Sequence, residues 1–204
     1  MEKVLANRTR KLTVVLEDIF QSQNASAVIR TCECFGIQDV HVIESRSKYG
    51  TNLKVLKGSH HWVNIIKHKF KKTEGPKIAF DKLKEAGYKI LVTSVSPGSQ
   101  SIYDINPVEL GKIALVLGNE LHGASTVAQD NADGLVHIPM VGFTESFNVS
   151  VCAAICISLL VNKIRESEND WRLSENEKDE IRLKWIRAMV KRVEVLERNF
   201  LKAL

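Results

Sequence analysis

Apolar and polar positions along the chain follow two alternating rhythms. "LTVVLE" at residues 12–17 and "DVHVIE" at 39–44 are short runs rich in β-branched residues, and they predict strands. Between them, "NASAVIRTCECFG" at 24–36 has helical spacing and stops on a glycine. The pattern then repeats. "KIAFDKLKEAG" predicts an amphipathic helix ended by Gly87, "KILVTSV" and "IALVLGNE" predict two further strands, and another short strand should close at Ile138 and Pro139. Strands alternating with helices define an α/β fold with a mostly parallel sheet and helices on both faces.

The last forty residues change character. Ser174 with Glu177 three positions on forms a capping-box pattern, and apolar residues recur at Ile181, Trp185, Met189, Val193, Leu196, Phe200 and Leu204. That is one stripe on one long helix, to be buried against its own domain or a second subunit. The expected division is a domain at 1–162 followed by a helical C-terminal extension at 163–204.

Composition narrows the class. In 204 residues, 44% hydrophobic and 26% charged, no apolar run reaches the roughly 20 residues that span a bilayer. The charged N-terminus has no signal-peptide core, so no membrane association and a cytoplasmic location are expected. Cys32, Cys34, Cys152 and Cys156 fall in predicted helices without histidines at zinc spacing. They read as buried thiols, not metal ligands or disulfides. Charge is uneven: residues 1–72 carry 13 basic and 6 acidic side chains, whereas 73–162 carry 5 and 9. A basic third of this kind fits a polyanion such as RNA or a solvated face. Arg8, Arg10, Lys11, Lys48 and Lys54 are its candidate phosphate contacts, with "KHKFKK" at 67–72 a further contributor or a solvated loop.

Three segments carry polar residues that an ordinary core does not need. In the first, Asn24 sits at the predicted helix start as a candidate N-cap, and Arg30 stands among Val28, Ile29, Thr31 and Cys32. An always-charged guanidinium there requires a carboxylate or a phosphate. In the second, "LVLGNELHGAS", a buried strand ends at Gly118, Glu120 follows in the turn, and Gly123 opens a helix, at the strand end where open α/β sheets bind ligands. Neither a dinucleotide fingerprint nor a phosphate-binding loop is present. The third, "PMVGFTESFNVSVCAAIC", joins an exposed loop to an apolar helix, with Ser146, Asn148 and Ser150 at alternate positions across the junction. Capping accounts for one of these three polar residues, not all of them.

In this order, the three segments resemble the three motifs of the SpoU family of RNA ribose 2′-O-methyltransferases, in the trefoil-knotted SPOUT class. "NASAVIRTCECFGI" is similar to the first motif, "LVLGNELHG" to the second and "IPMVGFTESFNVSVCAA" to the third, and the resemblance covers residues 10–162. It implies a knot over residues 115–162 that holds S-adenosylmethionine, with contacts from Thr93, Gly118, Ile138, Phe147 and Asn148. It also implies a homodimer and a catalytic set of Arg30, Asn24, Glu120, Ser146 and Asn148, in which Asn24 and Glu120 orient Arg30 and the neighbouring loops. No metal is implied. "LTVVLEDI", "GSHHWV" and the helical C-terminus resemble most the family members that act on a D-loop guanosine of tRNA. A first strand at Leu12 leaves no room for the N-terminal RNA-binding domain common in relatives that act on ribosomal RNA, so tRNA is expected ahead of rRNA. A SPOUT-fold RNA-binding protein without catalysis is the alternative from another class. Phe147 in place of the usual Leu reshapes an apolar wall, and Glu145 in place of the frequent Gln adds negative charge.

Overall fold

A computed structural model of the chain describes residues 1–69, 75–167 and 170–203. Seven strands, β1 (Leu12–Glu17), β2 (Asp39–Glu44), β3 (Asn64–Lys69), β4 (Tyr88–Thr93), β5 (Gln100–Ser101), β6 (Lys112–Leu117) and β7 (Gly134–His137), form one sheet in the order β3-β2-β1-β6-β4-β7-β5. Every pairing is parallel. Helices α1 (Glu2–Leu5), α2 (Ser22–Cys34), α3 (Leu53–Leu56), α4 (Gly75–Glu85), α5 (Pro107–Leu110) and α6 (Thr126–Asp130) alternate with the strands. α7 (Val149–Glu166), α8 (Glu175–Met189) and α9 (Val193–Ala203) follow them.

The alternation of side chains along β1 explains why all six of its residues are buried. Leu12, Val14 and Leu16 enter one core with Val28, Ile29 and Cys32 of α2 and Ala153, Cys156 and Leu160 of α7. Val15 faces the other core, with Phe80 and Leu83 of α4 and Ala128 of α6. A strand covered on both faces needs no polar side, which is why "LTVVLE" reads as an apolar run. α2 ends where Gly36 takes φ +78, and a Cβ there would lie 2.3 Å from the Asn7 carbonyl oxygen, so only glycine fits.

Three expectations need correction. The C-terminal stripe is not one helix. α8 and α9 are separated by residues 190–192, where Arg192 adopts φ +56. Ile181 and Trp185 of α8 pack on Leu5, Leu173 and Trp62 of the same chain, while Met189, Leu196 and Phe200 stay exposed; Leu204 lies outside the described residues. The segment "NIIKHK" is the edge strand β3, which places Lys67 and Lys69 in the sheet, and residues 70–72 of "KHKFKK" lie outside the described residues. Of the four thiols only Cys32 and Cys156 are buried; Cys34 is exposed and Cys152 half-buried, and none is in a disulfide. No helix among the described residues is long and apolar enough to cross a membrane.

Candidate active site

The carboxyl ends of β4, β6 and β7 open onto a cleft of about 620 Å³, a size typical of small-molecule sites. Thr93 to Ser96, Gly118 to Ala124 and Val136 to Ile138 line it from the strand ends; Met140 and residues 145–149 close it from the start of α7.

At its mouth a single chain of hydrogen bonds joins the three polar segments. Asn148 Nδ2 donates to Asn24 Oδ1 (3.1 Å), and Asn24 Nδ2 donates to Glu120 Oε1 (2.9 Å). Glu120 also accepts from Phe20 N at 2.9 Å and Gln21 N at 3.1 Å, so its carboxylate holds the residues that lead into α2, where the helix dipole favours negative charge. Burial works to raise the Glu120 pKa. The Asn24 amide and the two backbone donors outweigh it, so the carboxyl sits below its ordinary value and is ionised. On the other side, Asn148 caps α7, its Oδ1 accepting from Ser150 N (2.9 Å) and Ser150 Oγ (2.6 Å). Two of the three polar residues at the start of this helix thus act as one cap, and the cap's free amide reaches Asn24.

The loop between Gly118 and Ser125 is pinned at both ends. It folds back on itself through Asn119 N to Gly123 O (2.9 Å) and Gly123 N to Asn119 O (2.8 Å), and a Cβ on Gly118 would lie 2.1 Å from Ala124 N. At its start Asn119 Nδ2 donates to the Asp18 carbonyl (2.7 Å); at its end Ser125 donates to Glu17 through N (2.9 Å) and Oγ (2.6 Å). Burial lifts the Glu17 carboxyl above its usual range, although the Ser125 donors pull it down. Sequence reasoning missed Glu17, Asp18 and Asn119; an acidic pair closing an otherwise apolar strand was the available signal.

Asn24, Glu120 and Asn148 meet directly, and Thr93, Gly118, Ile138, Ser146 and Phe147 line the same cleft. The Thr93 hydroxyl is committed to the Val116 carbonyl (3.0 Å). Arg30 is apart from them. It is exposed on α2 and makes no ion pair or hydrogen bond among the described residues, which removes the structural salt bridge as an explanation for it. Nor is Asn24 an N-cap: α2 begins two residues earlier, after Gln21, and the Asn24 side chain makes tertiary contacts instead. Glu120 holds the entry to α2, the helix that carries Arg30, through Asn24 and the backbone of Phe20 and Gln21.

Two of the candidate phosphate contacts are internal. Arg8 is 1% exposed, its guanidinium donating to Glu33 Oε1 (2.7 Å) and to the Ile37 carbonyl (3.4 Å) and lying over the Trp185 ring. Arg10 bridges Asp39 and Glu177, each at 2.9 Å, and so ties α8 to the sheet. Lys48 and Lys54 are exposed and Lys11 half-buried.

Among the described residues no group of three or more His, Cys, Asp or Glu could hold a metal ion. The described residues that line the cleft include no Lys or Arg, and the only carboxylates among them are Glu120 and Glu145. Such a site suits a neutral or cationic ligand with an apolar body and disfavours a phosphate-bearing one.

Fold and cleft together define an α/β protein that binds a small ligand at the carboxyl ends of a parallel sheet. Residues 11–158 match the model of the SpoU rRNA Methylase family, and the chain belongs to that family. It is 46% identical, over 97% of its length and 87% of the relative's, to the tRNA (guanosine(18)-2′-O)-methyltransferase of Borreliella burgdorferi. The enzyme of the same name from Thermus thermophilus is 33% identical over 77% of both chains. Among solved structures, the A. aeolicus TrmH/SpoU tRNA modifying enzyme superposes with a TM-score of 0.81 at 28% identity, covering 93% of this chain and 94% of that one.

Proposed function

We propose that the chain is an S-adenosylmethionine-dependent methyltransferase that modifies the ribose 2′-oxygen of a D-loop guanosine in tRNA, the guanosine(18) named for its relatives. The observation that carries this reading is the Asn148–Asn24–Glu120 chain, which draws together three segments distant in sequence at the rim of one cleft. The cleft fits the cofactor chemically: it offers backbone groups after β4, β6 and β7, an apolar wall that includes Ile138 and Phe147, and acidic but no basic side chains facing a sulfonium. S-adenosylmethionine, when bound, supplies an electrophilic methyl group.

The protein's own task is to make a poor nucleophile reactive. Arg30 grips an RNA phosphate and lowers the pKa of the neighbouring 2′-hydroxyl electrostatically, so that its proton passes to water as the oxygen takes the methyl group, the neutral thioether S-adenosylhomocysteine being the leaving group. A side chain that keeps its charge exposed and unpaired is available for that contact. Ser146, also exposed and without a hydrogen bond among the described residues, faces the same cleft and assists. Asn24, Glu120 and Asn148 hold the α2 entry, the loop after β6 and the start of α7 in register.

The methyltransferase domain spans residues 1–162, with a trefoil knot over about 115–162 that organises the cofactor loops, and residues 163–204 form an extension. The enzyme works in the cytoplasm as a homodimer. Phe20, Leu121, Phe143 and Val151, exposed around the cleft mouth, support that assembly by offering apolar area for a second copy. Tritiated methyl transfer onto an unmodified tRNA transcript, with rRNA as the comparison, tests the reading. Label should enter tRNA at one guanosine 2′-oxygen; incorporation into rRNA alone, or none at all, overturns it. Sedimentation as a monomer at micromolar concentration overturns the dimer.

A further inference from the structure

Between β2 and the end of α3, residues 45–57 contain four basic side chains, Arg46, Lys48, Lys54 and Lys57, and no acidic one. All four are exposed, and none makes an ion pair or a side-chain hydrogen bond among the described residues. The backbone that carries them is firmly held. Asp18 Oδ1 accepts from Ser45 N (2.8 Å), Arg46 N (2.9 Å) and Ser47 N (3.1 Å), and Asp18 Oδ2 accepts from Ser45 Oγ. Glu44 Oε1 accepts from Tyr49 N (2.7 Å), and the Tyr49 ring packs against the main core. Ser26 Oγ accepts from Asn52 N (2.8 Å). Five backbone donors of the segment are therefore bound to protein acceptors while its four cations stay exposed without an ion pair among the described residues, Arg46 acting on the Glu17 carboxyl only through space.

Position links this segment to the candidate site at both ends. Ser26 is one helical turn from Arg30 on α2, so the far end of the segment runs beside the flank that carries that arginine. Asp18 touches the other side, since its carbonyl receives Asn119 Nδ2 from the loop after β6. Asp18 itself adopts φ +50, a conformation unfavourable for most residues and tolerated by Asp and Asn. Burial works to raise its pKa, and the hydrogen bonds from Ser45, Arg46 and Ser47 bring it below the ordinary value, so the carboxylate is charged where it organises the turn.

We propose that residues 45–57 are a preorganised strap that grips the RNA phosphate backbone beside Arg30, and that Asp18 is the positioning residue that sets it. The inference rests on the methyltransferase reading and specifies its RNA side. Cations displayed on a held backbone lose little conformational freedom on binding, and each phosphate neutralised releases counterions.

The test is filter binding of the full chain, without cofactor, to an unmodified tRNA transcript between roughly 50 and 200 mM salt. Arg46→Ala combined with Lys48→Ala should weaken binding on the order of tenfold and reduce the slope of log K against log salt by about 2, one per lost phosphate contact. Affinity for S-adenosylhomocysteine should not change. Asp18→Gly accepts the backbone conformation but drops the loop, and should weaken RNA binding severalfold. Asp18→Asn keeps both the conformation and a carbonyl acceptor, and should restore binding to near wild type. A double variant with the wild-type Kd and salt slope overturns the strap, and an Asp18→Gly variant that binds tRNA normally overturns the role of Asp18. Wild-type protein that fails to bind tRNA refutes the methyltransferase reading and the strap together; silence of the variants alone refutes only the strap.

Discussion

Arg8, a candidate phosphate contact by charge, is internal, whereas Arg30, which could meet a carboxylate or a phosphate, is exposed, and a pair of alanine substitutions measures the difference. Arg8→Ala removes a guanidinium that is 1% exposed and leaves Glu33 and the Ile37 carbonyl without their donor. Breaking a buried pair of this kind costs about 3 kcal/mol, less than the full range because Glu33 is partly solvated. For a chain of this size that is a fall in Tm of about 6–12 °C. Arg30→Ala removes a side chain with no hydrogen bond or ion pair among the described residues. Its stability cost is about 0.5 kcal/mol or less, within about 2 °C in Tm. Methyl transfer should respond in the opposite sense: down on the order of 100-fold or more for Arg30→Ala with cofactor affinity intact, and little changed for Arg8→Ala below its melting point. Arg30→Lys should recover little, since a point charge does not reproduce the planar fork. Differential scanning fluorimetry, calorimetry with S-adenosylhomocysteine and a tritium transfer assay read the three quantities. An Arg30→Ala protein that melts like wild type and methylates tRNA at close to the wild-type rate would refute the assignment.

Glu120→Gln tests the hydrogen-bond chain through pH. Because the folded pKa of Glu120 is depressed, its stabilisation is complete above the ordinary value of 4.5 and is lost as pH falls through the folded value, so wild-type Tm should drop on that acid limb. The Gln variant should be less stable at pH 7 by about 1–3 kcal/mol and should lack that part of the acid dependence; parallel Tm–pH curves would contradict the reasoning. Gly118→Ala should abolish S-adenosylhomocysteine binding in calorimetry and lower Tm, since the added Cβ would lie 2.1 Å from Ala124 N; normal binding would show that the loop yields. Iodoacetamide followed by mass spectrometry should label exposed Cys34 first and Cys152 more slowly. S-adenosylhomocysteine should protect Cys152 alone, because only that one of the two lines the cleft.

The core of the fold was legible where sequence and environment coincide. β1 is buried throughout, and apolar but for Thr13 and Glu17, because helices cover both its faces, and α2 stops at a glycine that geometry requires at Gly36. The edge strand β3 was not, because its exposed positions admit lysine and histidine, and its sequence reads as a charged loop. Charge was legible in sign but not in partner. Arg8 meets a residue 25 positions away and Arg10 one 167 positions away, and no local pattern encodes either meeting. The break between α8 and α9 falls at Arg192, with neither Gly nor Pro to announce it. Of the cleft, Asn24, Glu120, Ser146 and Asn148 were visible as polar interruptions of apolar runs, whereas Thr93, Ile138 and Phe147 followed only from the family resemblance. The clamp formed by Glu17 and Asp18 depends on the loop after β6 reaching the end of β1, which is a property of topology.

Strand order also carries a consequence for biosynthesis. β6 leaves the ribosome after β1 and β4, yet it lies between them, with Leu115 beside Val14 on one side and Leu91 on the other. Until residues 112–117 emerge, the nascent chain presents one unmatched edge of β1 and both edges of β4, whose other neighbour β7 comes later still, together with the apolar flanks of these strands, the kind of surface that recruits chaperones or self-associates. The insertion must then match register on both sides at once, and contacts of such long sequence separation form slowly. A chain interrupted before Lys112 is therefore not a smaller folded protein but an aggregation-prone intermediate. Translational pausing upstream of that point should lower soluble yield without any change in the amino acids.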